Sequence, residues 1–236
     1  MQRRSPLDSH AYRARCGVAL FGVLLAFWLQ ACASGPPPTP TALGEAALAE
    51  GDWRTARRHF GEALQLDSRN GRAWVGQARA QLAGRDPEAA LQSFSRLAKI
   101  DADRFRGEAL PDYADALEAA AQARLARRKP DAALAAVRAL AQLEPDRHGL
   151  NRLLGRALAA EAERRRLLGE RGPALSLYRE ACRVAPQELD AWVAAVEILL
   201  EQRKRKEAMR LLEAARKAHP TAGSIRTLTL QAMRIR

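Results

Sequence analysis

The chain has 236 residues and is 47% hydrophobic, yet only 5% aromatic, with 28% charged side chains. Its apolar content is mostly Ala and Leu and its charge mostly Arg and Glu, strong helix formers, which excludes an all-β sandwich or barrel and indicates an all-α protein. The apolar fraction excludes a disordered chain, and a net charge of +12 raises nucleic acid or an anionic surface as a partner until the charges are located.

The N-terminus reads as an address. Arg3, Arg4, Arg13 and Arg15 stand against a single Asp8, and the uncharged run Gly17 to Leu29 follows. A basic head, a short apolar stretch and small residues at a cleavage point define a secretory signal. The run is too short for a transmembrane helix, which needs about 20 apolar residues. Leu29-Gln30-Ala31-Cys32 resembles a bacterial lipobox, which implies a signal peptide over residues 1–31 and lipidation of Cys32. Ala31-Cys32-Ala33 also fits an A-x-A site for ordinary signal peptidase, which would release a soluble periplasmic protein. Ala33 in place of an aspartate behind the cysteine implies sorting to the periplasmic face of the outer membrane. Residues 32–40 hold Pro36, Pro37, Pro38 and Pro40 and form a semi-rigid tether. Cys16 leaves with the leader, so Cys182 is the one thiol of the folded domain, placed on an apolar helical face as a small buried hydrophobe.

From residue 37 the chain repeats with a period of about 34. Counting back from Ser68, Ala102, Pro145, Pro186 and Pro220, the same offsets return Ala56, Ala90, Ala133, Ala174 and Ala208. A turn further on they return Phe60, Phe94, Val137, Tyr178 and Leu212, then Ala63, Leu97, Leu140, Ala181 and Ala215. Trp74 and Trp192 fall early in their units, and Leu43-Gly44 sits at the matching place in the first. Two antiparallel helices per unit follow: alanine permits close approach, the bulky residue fills the space between units, and proline stops the second helix. No unit can bury its apolar face alone, so the stack is cooperative.

This pattern resembles the tetratricopeptide-repeat (TPR) family. It implies an α-solenoid over residues 41–222 of five units, 37–70, 71–104, 114–147, 155–188 and 189–222, closed by a capping helix over 223–236. Two insertions interrupt the period. Phe105 to Tyr113, with Gly107 and Pro111, is expected to be a loop or short turn. His148 to Leu154 keeps a helical pattern and should lengthen the first helix of unit 4 by two turns, which leaves its apolar face in phase.

In this family the first helix of each unit lines a concave groove. The resemblance assigns to it Glu45, Arg72, Val75, Arg79, Asp115, Glu118, Arg156, Glu163, Arg166, Asp190, Glu197 and Glu201, an acidic set overall. Leu48, Leu82, Leu125 and Leu200 add apolar anchors, which suits an extended or helical peptide of some basic character. The family's carboxylate clamp is not expected, because Thr41 and Glu45 occupy its Lys and Asn positions. The positive excess falls on second helices and turns, among them Arg54, Arg57, Arg127, Arg128, Lys129 and the run Arg203–Lys206. Without interleaved aromatics this disfavours nucleic acid. Arg203–Lys206 reads either as a solvated turn or as a contact with anionic head groups.

Catalysis finds no support: His59, His148 and His219 fall in different units, and no Ser/His/Asp set, phosphate loop or metal-ligand spacing occurs. No cofactor or metal is expected. The resemblance to exported TPR lipoproteins implies a protein-interaction scaffold in envelope assembly, foremost of the pilotin or tight-adherence pilus kind. Polysaccharide export, outer-membrane protein assembly and peptidoglycan-enzyme scaffolding are the alternatives.

Overall fold

A computed structural model describes residues 37–234; the signal peptide, Cys16 and the expected lipidation site Cys32 lie outside the described residues. Eleven helices of ten residues or more, one short helical segment before α5 and no strand make up the described part. They pair as α1 (Pro40–Ala49) with α2 (Trp53–Leu66), α3 (Gly71–Ala83) with α4 (Pro87–Ile100), and α5 (Leu110–Ala126) with α6 (Pro130–Leu143). The series continues with α7 (Leu150–Leu167) and α8 (Arg171–Val184), α9 (Leu189–Glu201) and α10 (Arg205–Ala218), and ends in α11 (Gly223–Arg234). Each second helix packs on its own first helix and on the first helix of the next unit, and α11 closes the stack against α9 and α10.

The recurring side chains explain this packing. Ala56, Ala90, Ala133, Ala174 and Ala208 are all fully buried, and so are Phe60, Phe94 and Val137, with Tyr178 and Leu212 close to it. Phe60 shows how tight the fit is. A Cβ at Gly44 on α1 would meet its ring at 2.8 Å, and one at Gly76 on α3 would run into the ring itself. Units 3 to 5 and the cap share one continuous core, while units 1 and 2 contribute two smaller clusters.

Local chemistry sets the helix ends. Asp52 accepts from the amides of Arg54 and Thr55, Asn70 from Ala73 and Asp86 from Ala89, which caps α2, α3 and α4. Pro40, Pro87 and Pro130 occupy first turns, where the missing N–H costs nothing. The turn inside every unit is the same. The amide of the second residue past the first helix reaches back three positions and the next amide five, as in Gly51 to Leu48 and Asp52 to Ala47. This closure puts one residue in the left-handed region: Gly51 at φ 81°, Arg85 at 59°, Arg128 at 55°, Gly169 at 80° and Arg203 at 54°.

The segment Phe105 to Tyr113 corrects the expectation of a loop. A short helix at Ala102–Arg104 runs through a π-helical turn at Phe105–Ala109 straight into α5. Pro111 lies in the first turn of α5 and therefore breaks nothing. Phe105 packs edge-on against Tyr113 with ring centroids 5.3 Å apart, and Tyr113 against Phe94 at 5.8 Å. Arg104 bonds both Asp101 at 3.1 Å and Glu108 at 2.8 Å, so aromatic burial and ion pairing hold the extra residues helical. The other insertion enters α7 at Leu150, behind Gly149 at φ 78°, and makes α7 the longest helix of the described residues at 18 residues.

Candidate partner-binding face

The first helices α1, α3, α5, α7 and α9 carry the side chains expected to meet a partner. In units 1 to 3 most of them are spent on one another. Arg72 on α3 donates to Glu45 on α1, with Nη2 to Oε2 at 2.7 Å. Arg79 reaches forward to Asp112 at 2.7 Å and Glu108 at 3.6 Å. Arg147, in the connection between α6 and α7, gathers Asp115 and Glu118 of α5, the latter at 2.7 Å, together with Glu144 at 2.8 Å. These three carboxylates hold the Arg147 guanidinium charged far above any accessible pH, Asp115 contributing most. Ion pairs thus clip unit 1 to unit 2 and unit 2 to the start of α5 and the segment before it, and within unit 3 they fasten α5 to the chain leading into α7.

Unit 4 pairs within itself. Arg166 donates to Glu163 at 2.8 Å, and the Tyr178 hydroxyl donates to the same carboxylate at 2.7 Å. The Arg166 bond holds Glu163 below the usual carboxylate range, and burial raises the Tyr178 phenol. Nearby Glu161 is almost completely buried and accepts from both Arg164 and Arg165, which lower its pKa. Glu201 meets Arg171 at 3.3 Å.

Three of the expected residues stay unpaired among the described residues: Arg156, Asp190 and Glu197, all exposed. Asp190 and Glu197 stand seven residues apart on α9, hence on one face, and Glu201 continues it one turn later. Glu197, Glu201, Leu200 and Gln231 of α11 line a cleft of about 330 Å³. Val75 must leave the set. It is 1% exposed and packs with Phe94 and Leu97, because its place on α3 faces α4. Leu200 is likewise buried, while Leu48, Leu82 and Leu125 are half-buried between helices.

The residues missed by sequence reasoning are Asp112, Glu108 and Arg147. All lie in or beside the two insertions, where the 34-residue register does not say which face a side chain takes.

Other chemistry is sparse. Among the described residues no three His, Cys, Asp or Glu side chains converge on a metal site. His59 bonds Glu62 at 3.0 Å and His219 the Pro186 carbonyl at 2.8 Å. Cys182 is buried, and burial pushes its thiol up to about 12. A wider cleft of about 810 Å³ lies over α4 on the second-helix side, between Trp74 and the Glu88–Arg124 ion pair. No helix of the described residues is long and apolar enough to cross a membrane.

Residues 47–110 match the tetratricopeptide-repeat profile. A TPR-repeat protein from Bacteroides fragilis is 14% identical and superposes with a TM-score of 0.58, over 85% of this chain and 99% of that one. YrrB, described as a TPR protein with an unusual peptide-binding site, is 17% identical at a TM-score of 0.42, over 79% and 88%. PilF of Pseudomonas aeruginosa is 13% identical at a TM-score of 0.37, over 83% and 82%. No curated protein sequence matches the chain. The fold is an all-helical TPR solenoid, an architecture whose members act as protein-interaction scaffolds and bind peptides or proteins.

Proposed function

We propose that the chain is an exported scaffold that holds a protein partner on the first-helix face of units 4 and 5. The observation that carries this is the contrast along that face. Units 1 to 3 neutralise their charges in ion pairs between or within units, whereas α9 keeps Asp190 and Glu197 exposed and unpaired beside the cleft of Glu197, Leu200 and Gln231. Unpaired acids beside a partly apolar cleft fit a peptide segment with a Lys or Arg and an apolar side chain. Complementary charge of this kind sets partner choice and association rate more than raw affinity.

The leader and Cys32 support the finer reading: a lipid-anchored protein on the periplasmic face of the outer membrane, serving assembly of an envelope apparatus, with pilus or secretion biogenesis foremost. Two or more acyl chains on Cys32 would anchor it stably, whereas one alone holds weakly.

Asp190→Lys with Glu197→Lys should abolish recovery of the partner in a pull-down of the intact lipoprotein. Arg72→Glu with Arg79→Glu should leave recovery within a few-fold and lower thermal stability instead. Fatty-acid labelling that is lost in Cys32→Ala tests the anchor, and an unlabelled wild type would refute it. Equal recovery by both groove variants would refute the assignment of the binding face.

A further inference from the structure

The turn within each unit has strong local preferences, and units 3 and 5 set both of them aside, whereas unit 2 departs only at Arg85 and keeps Asp86 as a cap. Its left-handed residue favours glycine, because a Cβ there is crowded by the following carbonyl. The next residue opens the second helix, where an acid or amide accepts from the free N–H groups and suits the positive helix end. Gly51 and Asp52 of unit 1 meet both preferences. Unit 3 carries Arg128 at φ 55° and then Lys129, and unit 5 carries Arg203 at φ 54° and then Lys204. Neither lysine makes a side-chain cap, and each places a cation at the positive end of its helix.

Four residues thus oppose four local preferences, at matching positions, and every one is an exposed cation outside any ion pair among the described residues. The closure fixes the left-handed backbone in all five turns, so the fold requires the angle but not an arginine at it, and a side chain kept there at a cost is a sign of function. Because each turn holds the same place in its unit, the turns run along one edge of the stack. Between units 3 and 5 that edge carries Leu167 and Leu168, exposed by 76% and 61%. The corresponding pairs elsewhere are Ala49-Glu50, Ala83-Gly84, Ala126-Arg127 and Glu201-Gln202, so this apolar pair belongs to unit 4 alone.

We propose that this edge docks on an anionic lipid bilayer, with the cations of units 3 and 5 at the headgroup phosphates and Leu167 and Leu168 inserted between them. A layered surface, charged outside and apolar beneath, satisfies both features at once. Nucleic acid would satisfy the cations alone, and these turns hold no aromatic residue on which a base could stack. The contact is separate from Cys32 and does not depend on its acylation.

The test uses the full chain with Cys16→Ser and Cys32→Ser, and an environment-sensitive fluorophore on Leu168→Cys; buried Cys182 stays unlabelled. Phosphatidylglycerol vesicles should shift the emission at 168 to the blue. Phosphatidylcholine vesicles and inorganic phosphate should not. The same fluorophore on Ser68→Cys, in a connection between units at the opposite edge, should stay unshifted on phosphatidylglycerol. Capture through the leader alone would leave both probes unshifted and overturn the proposal. The variant R128G/K129D/R203G/K204D restores the unit 1 pair in both turns. It should melt no lower than its parent, while the vesicle concentration giving half the shift at 168 rises roughly a thousandfold. An undiminished response in that variant, or equal shifts at both probe positions, would overturn the proposal.

Discussion

Gly76→Ala probes the packing of units 1 and 2 at its tightest point. In an open helix the exchange gains about 0.5–1 kcal/mol, because glycine is the more costly residue to order. At Gly76 the added methyl runs into the ring of Phe60, which is fully buried and bounded on its other side by Gly44. Overpacking a closed site costs roughly 1–3 kcal/mol. The balance is a net loss of about 1–2 kcal/mol, read as a lower urea midpoint at unchanged slope. Gly61 supplies the control, since a Cβ there meets nothing within 4 Å. Gly61→Ala should therefore stabilise by about 0.5–1 kcal/mol. Adding Phe60→Leu to Gly76→Ala should cost less than the sum of the two alone, with a coupling of about 0.5–3 kcal/mol. A Gly76→Ala protein as stable as Gly61→Ala would refute the account of Phe60 as a wedge between two glycines.

Other outcomes follow from the ion pairs and the core. Arg147→Gln, which unlinks Asp115, Glu118 and Glu144, should cost about 1 kcal/mol, the pairs being partly exposed, and speed amide exchange at the start of α7. Glu161 titrates lower in the folded chain than the ordinary carboxyl at 4.5, so its stabilisation is complete above that pH and lost as pH falls through the depressed value. Glu161→Gln should accordingly lower stability at pH 7 and flatten the acid limb of a denaturation profile; an unchanged limb would count against the pairing with Arg164 and Arg165. The Cys182 thiol, pushed up to about 12, should ignore a disulfide reagent at pH 8 in the native state and react in step with unfolding. Rapid native labelling would place it at the surface.

Much of the fold was legible because one short pattern recurs. The alanine and bulky positions of each unit answer to a single physical demand, and all of them are buried. The insertions were harder. Gly107 and Pro111 read as breakers, yet Phe105, Tyr113 and the Arg104 pairs outweigh them, which is a tertiary effect that local propensity does not report. The binding face was legible as a list of positions but not as chemistry. Arg72, Arg79, Asp115 and Glu118 look free in sequence, and their neutralisation requires partners about 30 residues away. Val75 sits at a groove position by register and turns to the core because α3 lies deep between α2 and α4. The basic turns were visible as a charge excess, but only the backbone angles reveal that three arginines occupy a glycine site.

The proposed partner site is the first-helix face of units 4 and 5. Site-specific photo-crosslinking in cells tests it most directly, with the reactive group placed in turn at Asp190, Glu197, Arg72 and, on the second-helix side, Arg96. One discrete adduct is expected from the two α9 positions and none from Arg72 or Arg96. An adduct from Arg72 or Arg96 with none from α9 would contradict it.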